Sequence, residues 1–532
     1  MSVFAPPPPA VRIEKPRPKL LEWLSTTDHK QIGIAYLWYV LFMAVVGGSL
    51  AGLIRLQLAS HNSTIFPPEL YNQFLSMHAT VMIFFVVIPA FVGFGNYLIP
   101  LLIGARDMAF PKLNAFSLWM LFPAGIMALA SFFVQGGAMA AGWTAYPPLS
   151  LKQFMGTPGV DMWILSVHML GISSIMGSIN FIVTIFNMRA PGMSLMKMPL
   201  FVWATLVNAF MTLIATPVLA GALTMVLADR HFGTGFFRPS EGGDPLLYQH
   251  LFWFYSHPAV YIMIVPGFGM ISHVVAAFSR KRLFGYKGMV IAIASIAVIG
   301  YMVWGHHMFA SGMSPVLRMY FAFMSMLIAV PTGIKIFSWL ATIWGGTLRF
   351  TTSMKFAMGF ISLFVIGGIS GVFLAAVPID VQVHDTYFVV AHLHYVLFGG
   401  SMMSLFAGSF FWFPKLSGRM LSEKLGTIQF WLIFIGMNVV FLPMHWLGIQ
   451  GMARRVFNYR PEFEGLNRLE SYGYLLLLAG GLLFIYNIFS TLRRSKSAPN
   501  DPWQVNDIQH TLEWETTSPP PKENFRTIPV VP

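Results

Sequence analysis

Six histidines stand in apolar stretches of this chain: His78, His257, the adjacent pair His306 and His307, and His392 with His394. The chain has no cysteine, so these imidazoles are its obvious set of transition-metal ligands, suited to haem iron and copper. Successive helical residues turn by about 100°, so His392 and His394 project to opposite faces of one helix. One metal centre cannot easily use both, whereas two centres on either side of that helix can. His257 and Tyr261, in FYSHPAVY, are four apart and share a face, with Pro258 loosening the turn between them. His306 and His307, in WGHHMF, are adjacent; a joint ligand role needs a helix end or distortion, which Gly305 permits. A lone histidine on an apolar face is more often a hydrogen-bonded core residue. Six in four spans, with two tight pairs, favour metal ligation.

The elements that must position these residues are membrane helices. The chain has 532 residues, is 56% hydrophobic and 10% charged, and has a mean hydropathy of +0.65; soluble domains carry about 25% charged residues. About twelve apolar stretches can each cross a bilayer of about 30 Å. They lie near 33–58, 74–103, 115–140, 161–187, 200–228, 250–277, 288–311, 318–344, 354–377, 386–413, 427–446 and 470–493. Long uninterrupted runs select helices over a barrel. The expected fold is an all-α polytopic membrane protein of one domain, 28–495, between polar Pro-rich tails at 1–27 and 496–532. The tails read as extended surface segments, and the N-terminal one lacks the apolar core of a cleavable signal. The absence of cysteine excludes disulfides, iron–sulfur clusters and thiolate copper within the chain.

Charge gives orientation. With both termini on one side, 23 of the 33 Lys and Arg fall on that side and 8 on the other; Arg55 and Lys335 lie within spans. The positive-inside rule then places both termini in the cytoplasm. The net charge of +13 follows from topology, and nucleic acid is not expected as a partner. Half of the outer basic residues, Arg454, Arg455, Arg460 and Arg468, share one loop. They call for anionic partners: lipid headgroups, Glu462 and Glu464, or a cofactor's carboxylates.

From DHKQIG at 28–33 to TLEWETTSPPPKENF at 511–525, the chain resembles subunit I of the haem–copper oxygen reductases, in particular the A-type cytochrome c oxidases. The motifs MHATVMIFF, GDPLLYQHLFWFYSHPAVY, WGHHMF, PTGIKIFSW and VHDTYFVVAHLHYVLFGG carry that resemblance. It implies that His78 and His394 are the axial ligands of a low-spin haem. It implies that His392 holds a high-spin haem, and that His257, His306 and His307 bind the copper called CuB. Tyr261 would be covalently joined to His257 and supply a proton and an electron to oxygen. Arg55 matches the arginine beside the low-spin haem's formyl group, which points to haem A. His384 and Asp385 match ligands of magnesium or manganese, although an ordinary loop histidine is the plainer account of His384 without the family. Arg454 and Arg455 match a propionate-binding pair, with Ala453 where the family usually has proline. Trp143 fits a position near the haems, or equally an interfacial aromatic.

The resemblance also implies two proton routes. Lys335, with Thr332 one turn away, matches the Lys pathway toward Tyr261, where the bland alternative is a snorkelling lysine. Asp107 matches the entrance of the Asp pathway, which Asn96, Asn114, Ser173, Ser174 and Asn180 would line. Each of these could instead be a polar residue satisfied by its own helix. Many A-type relatives carry a glutamate two residues after His257; here Ala259 stands there, and all 20 acidic residues fall in tails, loops or span ends. Tyr255 and Ser256 match the subclass that uses a Tyr-Ser pair. Ser314 and Pro315 replace acidic residues of mitochondrial relatives, which puts the outer-face site formed by those acids in doubt.

The expected function is therefore that of a respiratory catalytic subunit in a bacterial cytoplasmic membrane, reducing O2 to water and pumping protons. Its electrons would come from cytochrome c through the CuA of a partner subunit II, with subunit III also in the complex. A quinol oxidase is the nearest alternative, but Val46, Leu50 and Leu70 mismatch the quinol-site residues and only Gln73 agrees. Nitric oxide reductases lack the Tyr261 motif. A twelve-span solute carrier fits the topology and leaves the histidine pairs unexplained.

Overall fold

The computed structural model describes residues 23–494 and 497–531, so most of the expected N-terminal tail lies outside it. The chain is all-helical. The spans are α1 His29–Gln57, α2 Pro68–Ile103, α3 Pro111–Phe133, α4 Pro158–Asn187, α5 Leu200–His231 and α6 Pro245–Ser279. They continue as α7 Tyr286–Gly300, α8 Pro315–Ile343, α9 Thr352–Ala375, α10 Tyr387–Ser417, α11 Glu423–Ile449 and α12 Pro461–Leu492. Among the described residues, eleven are long and apolar enough to cross a membrane, and α7 is a shorter apolar helix. Asn524, near the C-terminus, meets His29 at the start of α1 at 2.8 Å. Both ends therefore lie on one face, which requires an even number of crossings, and α7 supplies the twelfth.

Local chemistry starts these helices where the sequence changes. Asp28, Thr157, Asp244, Thr351, Thr386 and Ser422 each accept a first-turn backbone N–H, and proline opens several others. Neighbours in sequence pack side by side: α1 with α2, α3 with α4, α5 with α6, α11 with α12. The most enclosed spans are α6, α10 and α2, with 89%, 72% and 67% of an apolar 18-residue stretch of each buried. These are the helices that carry His257, His392 with His394, and His78.

Three departures from the expected elements matter. Span three ends at Phe133 rather than near 140; positive φ at Gly136, Gly137 and Gly142 folds the following loop back onto α2. Gln73 and Ser76 accept its Ala138 and Gly142 amides at 3.1 and 2.9 Å, and Trp143 is held there. Span seven stops at Gly300 and gives way to a 3₁₀ turn, Trp304–Met308. The C-terminal segment, expected as extended surface chain, is pinned across one end of the bundle. Trp503, Val505, Leu512 and Trp514 are buried, Trp503 Nε1 donates to Phe411 O at 2.8 Å and Lys415 Nζ to Thr516 O at 2.9 Å. Four apolar anchors in a polar stretch outweigh its average composition.

Candidate metal and cofactor centre

On α6, His257 projects toward the 3₁₀ turn that carries His306 and His307. Gly305 is needed there, since a Cβ would lie 2.3 Å from Phe321 Cδ2. His257 Nδ1 and His306 Nε2 each stand 3.2 Å from His307 Nε2. Three nitrogens about 2.0–2.1 Å from one metal in trigonal or tetrahedral geometry are separated by about 3.3–3.6 Å, so the set fits a single ion. Ser325 fixes the tautomer. Its Oγ donates to Phe321 O at 2.5 Å and so accepts from His306 Nδ1 at 2.7 Å, which frees Nε2 for the metal. Trp253, a partner the motif alone did not single out, stacks on His307 with ring centroids 3.7 Å apart. The Tyr261 ring lies 4.7 Å from that of His257, whose Nε2 is buried without a hydrogen-bond partner.

His392 and His394 do face opposite sides of α10. His392 Nδ1 donates to Gly367 O and Ser370 Oγ on α9, both at 3.0 Å, leaving Nε2 free. Gly371 makes room, because a Cβ would sit 2.9 Å from His392 Cε1. His394 instead pairs with His78 of α2, their rings 5° from parallel with centroids 6.4 Å apart. His78 Nδ1 donates to Gly47 O at 2.9 Å and His394 Nδ1 to Val390 O at 2.8 Å, so both Nε2 atoms are free. Two imidazoles bound through nitrogen to one metal at about 2 Å have centroids about 6 Å apart, and the pair fits bis-histidine ligation. π-helical segments follow each histidine of this pair, Val81–Val87 after His78 and Leu397–Met402 after His394, where helices often carry function.

All six histidines line one cavity of about 1690 Å³, beyond the 300–1,000 Å³ usual for a small ligand. Its walls are mainly apolar, and Trp143, Asp385, Arg454 and Arg455 stand at one end. Two loops are joined there: Tyr387 N donates to Met452 O at 2.9 Å and Arg454 N to Asp385 O at 2.8 Å. Burial, with Arg455 alongside, lowers the Arg454 guanidinium to about 10. His384 sits between Asp380 Oδ2 at 3.2 Å and Asp385 Oδ2 at 3.8 Å, and the Asp380 hydrogen bond raises its pKa. Sequence reasoning missed Asp380. Among the described residues, the group of three or more His, Asp or Glu that converges as a metal-ligand set is the His257, His306, His307 trio.

The expected proton-route residues are buried or half-buried polar groups in two places. Asp107 lies in the loop before α3, its carboxyl raised by burial. Asn96 Oδ1 and both amide atoms of Asn114 are buried without partners. Asn180 brackets Phe110, accepting its amide at 2.9 Å and donating to its carbonyl at 3.2 Å. Ser173 donates to Ser117 O at 2.7 Å, and Ser117 Oγ meets Tyr36 OH at 2.7 Å; the sequence did not flag Ser117 or Tyr36. Ser174 and Tyr255 line one small cavity of about 30 Å³, room for a water. Ser256 Oγ and Lys335 Nζ are buried without partners, the lysine over the Phe268 and Trp339 rings at 5.0 and 5.4 Å. Thr332 and Tyr261 both line the main cavity.

One expectation is corrected. Glu470, placed at the edge of span twelve, lies well inside that span, fully buried, with Oε2 3.0 Å from Arg55 Nη1. The span begins earlier than its hydropathy suggested, with a 3₁₀ turn at Pro461–Phe463 leading into regular α-helix from Glu464.

Residues 31–489 match the family described as Cytochrome C and Quinol oxidase polypeptide I. The chain is 51% identical over 517 residues to cytochrome c oxidase subunit 1 of Synechocystis sp., covering 97% of this chain and 92% of that one. It is 50% identical over 519 residues to the same subunit of Thermostichus vulcanus (97% and 93% covered) and 48% over 514 to that of a Bacillus species (96% and 83%). A solved haem–copper terminal oxidase dimer shares the fold, with a TM-score of 0.74 over 88% of this chain and 85% of that one at 21% identity. With its histidines in this arrangement, the chain belongs to the haem–copper oxidase family, as a cytochrome c oxidase subunit 1, the catalytic subunit of an oxygen reductase.

Proposed function

We propose that this chain reduces O2 to water with electrons from cytochrome c, received through a partner subunit II bearing CuA, and pumps protons across a bacterial cytoplasmic membrane. The observation that carries the reading is the convergence of a three-nitrogen set and a parallel histidine pair in one cavity, on opposite sides of α10. His78 and His394 hold a low-spin haem, His392 a high-spin haem, and His257, His306 and His307 the copper. When bound, these groups deliver electrons and bind oxygen. The protein positions them, excludes water with an apolar wall, and supplies protons. Arg454 and Arg455 hold the propionates at the outer end, with Trp143 beside them, and His384 with Asp385 contributes to a magnesium or manganese site.

Tyr261 lies against His257 and within the cavity, where its hydroxyl can give a proton and an electron to oxygen; a covalent bond to the free His257 Nε2 would hold it there. Lys335 and Thr332 feed protons toward Tyr261. Asp107, Asn96, Asn114, Asn180, Ser173 and Ser174 lead from the cytoplasmic face toward Tyr255 and Ser256, the Tyr-Ser variant of the A-type route. Arg55 beside the low-spin haem supports haem A. The catalytic domain spans 28–495 with short tails, both termini are cytoplasmic, and subunit III completes the complex.

The test is metal and haem content. Purified complex should hold two haems and one copper per copy of this chain, besides any copper in a partner, with a reduced-minus-oxidised spectrum of a six-coordinate and a high-spin haem. Active enzyme with non-haem iron in place of that copper overturns the assignment.

A further inference from the structure

Where α12 closes against α1, Arg55 and Glu470 form an ion pair that packing does not require. The helices are already joined by neutral contacts: Ser471 Oγ donates to Arg55 O and Tyr474 OH to Gly48 O, both at 3.0 Å. Gly52 leaves space for the Tyr474 ring, since a Cβ there would lie 2.5 Å from its hydroxyl. A buried ion pair is often no more stabilising than apolar packing of the same volume, so stability is a poor reason for this one.

The geometry around the guanidinium is specific. Nη1 lies 3.0 Å from Glu470 Oε2, and Nη2 donates to Asn467 O at 2.6 Å and Ser471 Oγ at 3.2 Å. Nε is buried without a partner. Arg55 forms part of the cavity wall shared by His78 and His394, while Glu470 is not among the lining residues. The cavity therefore meets an arginine whose charge is opposed from outside the wall by a carboxylate.

We propose that Glu470 is a positioning residue that sets the charge Arg55 presents to the low-spin haem, lowering that haem's reduction potential below the value a lone arginine would impose. This rests on the reading of His78, His394 and Arg55 as neighbours of that haem. Reduction adds negative charge to the haem, so a nearby cation favours the reduced form, and does so strongly in a poorly screened interior. A carboxylate 3.0 Å from that cation turns a point charge into a short dipole with a weaker, shorter-ranged field. Asn467 O and Ser471 Oγ, which accept from Nη2, hold the guanidinium in one orientation.

The experiment is a spectroelectrochemical titration of the purified complex, reading the midpoint potential and visible band of the low-spin haem in four proteins. Glu470→Gln should raise the midpoint and shift that band. Arg55→Gln should lower it, and the double variant should return closer to the parent than either single change. If Glu470→Gln binds both haems and its midpoint is unchanged or lower, while Arg55→Gln shifts it, the inference is overturned and the reading of the haem site stands. If Arg55→Gln leaves band and midpoint untouched, Arg55 is not beside that haem, and the underlying reading fails with the inference. Should Glu470→Gln not load haem, the double variant decides: a midpoint as far from the parent as that of Arg55→Gln overturns the proposal.

Discussion

Which nitrogen a histidine turns toward the cavity is settled by its other nitrogen. Gly47 O, Val390 O and Gly367 O hold the Nδ1 protons of His78, His394 and His392, and Ser325 holds that of His306. His257 differs from these four, because its Nδ1 faces the other two histidines of the trio and its Nε2 is left unpartnered beside Tyr261. That inversion makes the tyrosine the residue to test. Tyr261→Phe keeps the ring and its packing and removes the hydroxyl. Turnover is expected to fall by at least about 100-fold, the lower range for loss of a positioned proton donor, with both haems still bound. Oxygen uptake at the normal rate would make the copper-site tyrosine structural.

At the scale of the element, the decisive segments are those that break regular helix. Gly305 sits in the 3₁₀ turn with Phe321 where a side chain would be. Gly305→Ala must move either the turn or the ring, an overpacking cost of about 1–3 kcal/mol, and copper content should fall more than haem content. Metal analysis of the variant checks this; unchanged copper would show that the turn tolerates displacement. The C-terminal segment is a second such element. Glu513 in it is fully buried, and burial pushes its carboxyl up to about 7 against the pull of Lys415. The folded form thus holds the proton more tightly than the unfolded chain. This contribution is complete below the ordinary value of 4.5 and lost as pH rises through 7, a difference of roughly 3 kcal/mol. Protease access to the segment should rise between about pH 5 and pH 8, and Glu513→Gln should flatten that rise; an equally steep profile in the variant would assign the effect to another group.

For the whole molecule, the proposed route carries protons from the face that holds Asp107 to the cavity lined by α2, α6 and α10. Among the described residues on that route, Asn96 and Asn114 offer unpartnered amide atoms and Ser174 and Tyr255 share a small cavity; between them the chain supplies hydrogen-bonding groups rather than a second carboxylate. Water ordered by such groups can relay a proton. Asp107→Asn should impair both oxygen uptake and pumping, Tyr255→Phe should lower turnover substantially, and Ser256→Ala should do less. Oxygen consumption and proton release from reconstituted vesicles measure this. If Asp107→Asn and Tyr255→Phe leave rate and protons per electron unchanged, protons arrive by another route, with Lys335 first in line.

How much of this was legible beforehand follows from the range of the physics involved. Hydropathy over 20 residues is a local quantity, and it located the spans to within a few residues where a cap or proline marked the start. It misplaced the start of α12, because Glu464 and Arg468 read as loop while Glu470 is neutralised by Arg55, 415 positions away in the chain. The same blindness made the C-terminal segment look like surface chain, since Lys415 and Trp503 find their partners only across the bundle.

For the site, the two-residue spacing of His392 and His394 already placed them on opposite faces and favoured two centres, because helical rotation is a property of the backbone alone. The adjacent pair at 306 and 307 required a distortion, and the 3₁₀ turn supplies it. Which histidine meets which was not in the spacing. That His78 lies parallel to His394, that Trp253 covers His307, and that Ser325 and Gly367 choose the free nitrogens are facts of packing between distant helices. Residue types and helical period thus singled out the six candidate histidines and favoured two centres over one. The tertiary structure decided their pairing, their tautomers and the buried counter-ion at Arg55, because these depend on contacts that no local pattern encodes.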